Sequence, residues 1–468
     1  MNTVNMNTVN SNSSIWRLAE AAAVAGFGIC SVLFAAYPLW RMFYSLEIDR
    51  NEAWNAYHAD SVANMLPLYP PTDALIVNNY PPLSFYLLAA LSGLTKDVVF
   101  AGRVLSLLAI LGIGVCVFGC TRAFKGSARG AVVGAFWFVA VIMHNFADYA
   151  AMNDPHLLTL FIMAGAFFWF LQNAASNKSK FPPLLLMVFA GFFKHTLIAI
   201  PAASIVWLAM MDGKSAFREI AALGLVIALG LAACIISFGS PFIDNMLMPR
   251  VISWGYFVYR LPTIQWVAPA VVICLVGLFR AAINGQTRLL NLLLLTSTLS
   301  FLLQSFAEGV NENSIFEMLF ALSIGVGVLF DRLPAYRNVS VPLIIIAALL
   351  LRLILSPKLE FAAILLSSKY RNAYDQHMDV FRSEVARVRA MPGNVSCSAM
   401  SVCRDAGKPF VYDEFFVAQL IKTGKLGRRN LDGGERQKIP FEVIDARVTI
   451  ESLNVRLSNF ASATGLSP

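Results

Sequence analysis

Asp49 and Glu52 stand three residues apart in Glu47-Ile48-Asp49-Arg50-Asn51-Glu52-Ala53-Trp54-Asn55-Ala56-Tyr57, just after the first long apolar run. On a helix that spacing puts both carboxylates on one face. Two carboxylates brought together at a membrane interface raise one another's pKa, and one can then act as a general base. The plain alternative is a solvated loop. Trp54, Leu46 and the adjacent apolar run weigh toward a reaction centre. A second acidic stretch follows in Asp148-Tyr149-Ala150-Ala151-Met152-Asn153-Asp154-Pro155-His156. Asn78-Asn79-Tyr80-Pro81-Pro82-Leu83 lies between the two, where Tyr80 either stacks on a ligand or opens a helix through the prolines after it.

These residues sit among apolar segments. Hydrophobic residues make up 57% of the 468, charged residues 14%, and the mean hydropathy is +0.64. A soluble domain carries about 25% charged residues. The composition indicates a polytopic α-helical membrane protein. Eleven segments are expected to cross, near 19–43, 98–120, 131–147, 156–173, 183–193, 196–210, 220–239, 264–281, 288–305, 314–330 and 341–356. The net charge of +8 does not point to nucleic acid, because the basic residues lie between apolar runs, where they set topology.

The connectors alternate in character. Arg122, Lys125, Arg129, Lys178, Lys180, Lys214, Arg218, Arg280, Arg288, Arg332 and Arg337 form the basic set. Asp49, Glu52, Asp148, Asp154, Asp244, Glu308 and Glu312 form the acidic set. The positive-inside rule assigns the first set to the cytoplasm and the second to the outer face. Residues 1–15 are expected to be a disordered polar N-terminus without a cleaved signal peptide. Residues 16–356 form the membrane domain, with a first outer loop over 44–97. Residues 357–468 form a small C-terminal α/β domain on the outer, periplasmic side. Its helix carries Met378, Phe381, Val385 and Val388 on one face. Strands are expected at Val395–Val402, Phe410-Val411-Tyr412 and Phe441–Ile450. Cys397 and Cys403 can pair if this domain lies outside the cytosol.

The order of these motifs carries a resemblance. One membrane helix, the acidic stretch, Tyr80-Pro81-Pro82-Leu83-Ser84-Phe85-Tyr86, then Phe100-Ala101-Gly102-Arg103-Val104-Leu105 resemble the C-type glycosyltransferases that use polyprenyl-phosphate sugars. The chain is most similar to the bacterial branch related to protein O-mannosyltransferases and lipid A aminoarabinose transferases. The resemblance spans roughly residues 15–330. It implies transfer of a sugar from a polyprenyl-phosphate donor to a lipid, glycan or protein acceptor at the periplasmic face of the inner membrane, with inversion. It makes Asp49 the base and Glu52 its orienting partner or substitute. The family commonly has adjacent Asp-Glu where this chain has Asn51-Glu52, which leaves the choice of base open.

The same resemblance gives Asp154 a role in binding acceptor or sugar. It sets Lys194-His195, after Gly191-Phe192-Phe193, near the carrier phosphate, although a Lys there can also snorkel to lipid headgroups. Arg103 either steadies the Pro-Pro loop or touches phosphate. Arg250 and Arg260 are further phosphate candidates in a loop whose aromatics suit an interfacial belt. Glu312, in Glu308-Gly309-Val310-Asn311-Glu312-Asn313, lines a sugar pocket or simply turns the chain. No His/Cys cluster has metal-ligand spacing and no cofactor is expected. A nucleotide-sugar donor is disfavoured for want of a phosphate-binding glycine loop. The competing reading is a transporter or lipid flippase. The acids mostly spare the segment centres, which argues against it.

Overall fold

The computed structural model describes residues 6–280, 285–332, 340–426 and 441–444. The apolar runs are helices. The first is α1 (Met6–Arg41). The stretch between the first two long helices folds into α2 (Arg50–Ala63) and α3 (Leu83–Thr95). Then come α4 (Val98–Ala123), α5 (Ala128–His144), α6 (Pro155–Ala175), α7 (Phe181–Gly191) and α8 (Ala199–Phe238). Short α9 (Ser240–Met246) and α10 (Trp254–Arg260) lead to α11 (Ala268–Arg280), α12 (Gly285–Gln304), α13 (Phe316–Leu329) and α14 (Val341–Ile354).

Each of the eleven expected segments falls on one of these helices. Among the described residues six helical stretches are long and apolar enough to cross a membrane alone, or seven if the bent pair Trp254–Trp266 and Ala268–Gly277 counts as one. α5, α7 and α14 are shorter. The segments expected at 196–210 and 220–239 are two arms of α8, broken at Gly213, whose φ of +50° suits a residue without a Cβ. α1 includes part of the 1–15 stretch, from Met6 onward.

α13 is the pillar of the bundle, with most of its side chains buried. It meets α5 at very close range. A Cβ on Gly130 would lie 2.2 Å from the Gly327 carbonyl oxygen, and one on Gly134 would lie 2.4 Å from that of Ser323. Small residues let two backbones approach where lipid supplies no hydrophobic drive. α4 packs against both α5 and α6 and carries Arg103 near its N-terminal end.

Acidic residues start several helices. Asp49, Asp97 and Asp154 are the N-caps of α2, α4 and α6, each accepting from a backbone N–H two residues on at 2.7–2.9 Å. The membrane ends of the helices are therefore held by the residue type that also suits chemistry.

The tail consists of α15 (Glu360–Leu366), α16 (Ser368–Ala390), β1 (Asn394–Cys397), α17 (Met400–Asp405), α18 (Glu414–Lys422) and β2 (Phe441–Ile444). β1 and β2 pair in parallel, Asn394 opposite Phe441. Met378, Phe381, Val385 and Val388 of α16 are buried, as their spacing implies. Two strand expectations need correction. β1 stops at Cys397, and α17 takes over from Met400 because Cys397 bonds to Cys403 and turns the chain back. Phe410-Val411-Tyr412 is irregular, its Phe410 ring stacked on Tyr57 at 5.0 Å instead of entering a sheet. Beyond Ile444 the expected third strand lies outside the described residues. The tail docks on α1, where Tyr37 and Tyr374 share a hydroxyl hydrogen bond of 2.7 Å.

Substituting Gly134 by Val should force α5 off α13. The expected result is a lower apparent Tm in detergent by several degrees, because overpacking costs about 1–3 kcal/mol. Static light-scattering melts of the purified protein would measure it.

Candidate functional site

The site begins with a buried ion pair. Glu52 and Arg103 are 1% and 2% exposed. Arg103 donates from Nε to Glu52 Oε1 at 2.7 Å and from Nη2 to Oε2 at 2.6 Å, a bidentate fork. Its remaining hydrogens go to the carbonyls of Met42, Tyr44 and Leu46. Glu52 also accepts from the N–H groups of Ile48 and Asn153, both at 3.1 Å. One pair thus fastens the end of α1, the start of α2, α4 and the turn before α6. Both Glu52 oxygens are engaged in this network.

Asp49 is turned the other way. It is half-buried, caps α2 through a 2.8 Å bond from the Asn51 N–H, and lines a 270 Å³ cavity. Tyr80, Lys194, Arg250 and His156 line the same cavity. Four residues flagged in the sequence, at 49, 80, 194 and 250, therefore converge from four separate connections.

Lys194 sits in the turn between α7 and α8. Its Nζ lies 3.0 and 3.2 Å from the two Asp154 oxygens and 4.6 Å from the centre of the Tyr80 ring. Burial pulls its pKa down, but the facing Asp154 carboxylate and Tyr80 offset that and hold it above the ordinary lysine value. The turn itself is anchored. Glu317 of α13 accepts from the Ala199 and Ile200 N–H groups at 2.9 and 3.1 Å, capping α8 from a neighbouring helix. The Leu83 N–H bonds to the Phe192 carbonyl at 3.1 Å, which ties the Pro-Pro element to the turn that carries Lys194.

Arg250 differs from Lys194. Its guanidinium is half-buried and has no hydrogen-bond or salt-bridge partner among the described residues. Desolvation pulls its pKa down, with only Tyr80 opposing. An anion entering the cavity would relieve that strain. Arg260 lies aside, bonded to Asn311 Oδ1 at 3.1 Å and stacked on Tyr259 at 5.2 Å. Asn311 and Asn313 line the cavity, while Glu312 between them is half-buried outside its lining. His195 is exposed on the turn and does not line the cavity.

The tail contributes residues that sequence reasoning did not single out. Asp413, Phe415 and Met400 line the cavity. Asp413 accepts from Trp54 Nε1 and from the Phe416 N–H, both at 3.1 Å, and burial raises its pKa. Arg50 pairs with Glu414 at 2.7 Å across the same junction. His156 was missed as well. It follows the Asp154-Pro155 helix start, so in sequence it reads as a first-turn residue. Asp148 serves elsewhere, facing Arg41 at 3.4 Å and Lys358 at 3.7 Å.

Across α2 lies a second cavity of 180 Å³, lined by Glu47, Asp97, Arg103, Ser401 and Asp405. Glu47 is 1% exposed and accepts from the Ser401 N–H at 2.8 Å. Burial raises its carboxyl pKa to about 8, and Asp49 and Glu52 add to the rise. Among the described residues no group of three or more His, Cys, Asp or Glu side chains is arranged to hold a metal ion.

No protein-family model matches the chain, and no curated protein matches it at a significant level. Solved structures do. ArnT from Cupriavidus metallidurans bound to undecaprenyl phosphate aligns with a TM-score of 0.55 at 14% identity, over 88% of this chain and 89% of that one. The apo state of the same protein gives 0.55 at 15% identity, over 84% and 88%. The Archaeoglobus fulgidus oligosaccharyltransferase tethered with an acceptor peptide gives 0.50 at 11% identity, over 85% of this chain and 64% of that one. The likeness is one of fold.

Two outcomes follow for the network. Arg103→Met leaves a buried carboxylate alone and should cost about 3–5 kcal/mol. The double variant Glu52→Gln with Arg103→Met should recover part of that loss in thermal melts. Glu47 has a folded pKa near 8 against an ordinary 4.5, so between those values the folded state keeps a proton that the unfolded chain releases. Stability from Glu47 therefore falls as pH rises through that window. Melts from acid to pH 8 should show Glu47→Gln gaining on the native protein as pH rises.

Proposed function

Taking the fold of the C-type membrane glycosyltransferases as the premise, we propose that this protein transfers a sugar from a polyprenyl-phosphate carrier to an acceptor at the periplasmic face of a bacterial inner membrane. The observation that carries the reading is one cavity where the Asp49 carboxylate meets two cations, Lys194 and Arg250. Arg50 and Asp413 also line it, but Arg50 is paired with Glu414 and Asp413 accepts from Trp54 and Phe416. A lipid-phosphate sugar needs both. The acceptor oxygen attacks the anomeric carbon from the side opposite the phosphate. The bond from that carbon to the phosphate oxygen breaks, the acceptor proton passes to Asp49, and the lipid phosphate departs with the bonding electrons. Phosphate is already a good leaving group, so a base, positioning and charge stabilisation supply what is left.

Each residue then has a task. Asp49 is the base, since the Glu52 carboxylate is committed to Arg103. Glu52 and Arg103 position α2. Arg250 receives the phosphate, and Lys194 shares its charge between Asp154 and the phosphate. Asp154 is a positioning residue. Tyr80 packs beside Lys194, where it meets the sugar or the first isoprene. Support for the donor class comes from ArnT, whose structure holds undecaprenyl phosphate. Support for the outer face comes from two independent sources. The basic connectors assign the opposite face to the cytoplasm. The Cys397–Cys403 disulfide suits an oxidising compartment. Hexose or pentose, and the acceptor, are choices for the assay.

The test is transfer from radiolabelled polyprenyl-phosphate sugars in membranes. Asp49→Asn should cut turnover on the order of 10²–10⁴-fold with the fold intact. Arg250→Met should weaken undecaprenyl-phosphate binding by about 10–100-fold, the worth of a charge-assisted bond. Full transfer by Asp49→Asn would remove the proposed base. No transfer from any donor, with a folded protein, would favour a transporter.

A further inference from the structure

His156 is the one cavity-lining side chain that the transfer chemistry leaves without a task and that has both polar atoms buried and unpaired among the described residues. The residue is 4% exposed. Its position is well held. Its N–H donates to Asp154 Oδ1 at 2.7 Å, and its ring meets Phe316 edge-on at 5.4 Å and 87°. Neither contact engages Nδ1 or Nε2. Buried polar atoms are nearly always satisfied, and an exception at a ligand cavity points to a partner that arrives with the ligand.

The chemistry of that partner follows from the ring. A neutral imidazole offers one N–H donor and one acceptor nitrogen, directed away from each other. A phosphate presents acceptor oxygens, which suit the N–H and leave the other nitrogen empty. The cavity already holds Lys194 and Arg250 for an anion. A ring bearing several hydroxyls supplies both a donor and an acceptor. We infer that His156 binds hydroxyl groups of a sugar in this cavity and so contributes to sugar selection, an inference that rests on the transferase reading above. The hydroxyls belong either to the donor sugar or to a glycan acceptor, and the assay separates these sources.

The experiment uses the full chain in nanodiscs with two probes, undecaprenyl phosphate and undecaprenyl-phosphate-glucose, alongside the mannose and N-acetylglucosamine analogues. His156→Phe keeps the aromatic contact with Phe316 and removes both polar atoms. Its affinity for undecaprenyl phosphate should stay within about twofold, while the best sugar-bearing lipid should bind roughly three- to tenfold more weakly. His156→Gln, which retains a donor and an acceptor, should recover part of the loss. If all sugar lipids bind unchanged but the acceptor KM rises in membrane transfer assays, the hydroxyls are the acceptor's. A comparable loss for bare undecaprenyl phosphate would make His156 a phosphate ligand and overturn the inference. So would His156→Phe behaving as the native protein in every assay. Should His156→Phe fail to fold, His156→Gln with altered sugar ranking carries the same decision. If the native protein binds none of the lipids, the donor reading falls and this inference falls with it. Native binding with an unchanged His156→Phe profile sinks this inference alone.

Discussion

The cavity end of this membrane protein depends on one buried ion pair. Arg103 and Glu52 satisfy each other bidentately and then spend their remaining hydrogen-bonding capacity on the backbone of three other segments. A charge at this depth is costly unless paired, and a half-satisfied pair is worse than none. The geometry is therefore all-or-none. With the pair made, α2 starts where it does, and Asp49 as its N-cap faces the cavity. Without it, only apolar packing of α2 and α3 against Val98, Val99 and Leu105 would join that segment to α4.

The tail adds a second constraint. α17 and α18 lie against α2, with Arg404 paired to Asp60 at 2.6 Å and Arg50 to Glu414 at 2.7 Å. These contacts bring Asp413 and Phe415 into the cavity wall. The C-terminal domain, from which sequence reasoning drew no site residue, thus forms part of the cavity wall. Its disulfide and its buried Glu47–Ser401 contact fix α17 from both sides.

Much of the bundle was legible because lipid imposes a simple rule. Apolar runs longer than a bilayer is thick become helices, and Gly213 shows as the break between two of them. The residue types of the site were legible too. Asp49, Tyr80, Lys194 and Arg250 were each set apart by charge or ring beside an apolar run. Their convergence was not legible, since it depends on how separate helices pack, across as much as the two hundred residues from Asp49 to Arg250. Nor was the split between the two acids. Asp49 and Glu52 share a helical turn, yet one faces the cavity and the other Arg103, a choice made by what packs around α2. His156 was hidden behind a proline helix start. Phe410-Val411-Tyr412 read as strand by propensity, and tertiary stacking on Tyr57 overrode it.

The central claim is that a lipid phosphate sits between Arg250 and Lys194, within reach of Asp49. The most direct measurement is a cryo-electron microscopy structure of the protein in nanodiscs with undecaprenyl phosphate. Density for the phosphate against the Arg250 guanidinium, with Asp49 facing the space beside it, is the expected result. Phosphate bound elsewhere, with Arg250 unengaged and the cavity empty, would contradict the account.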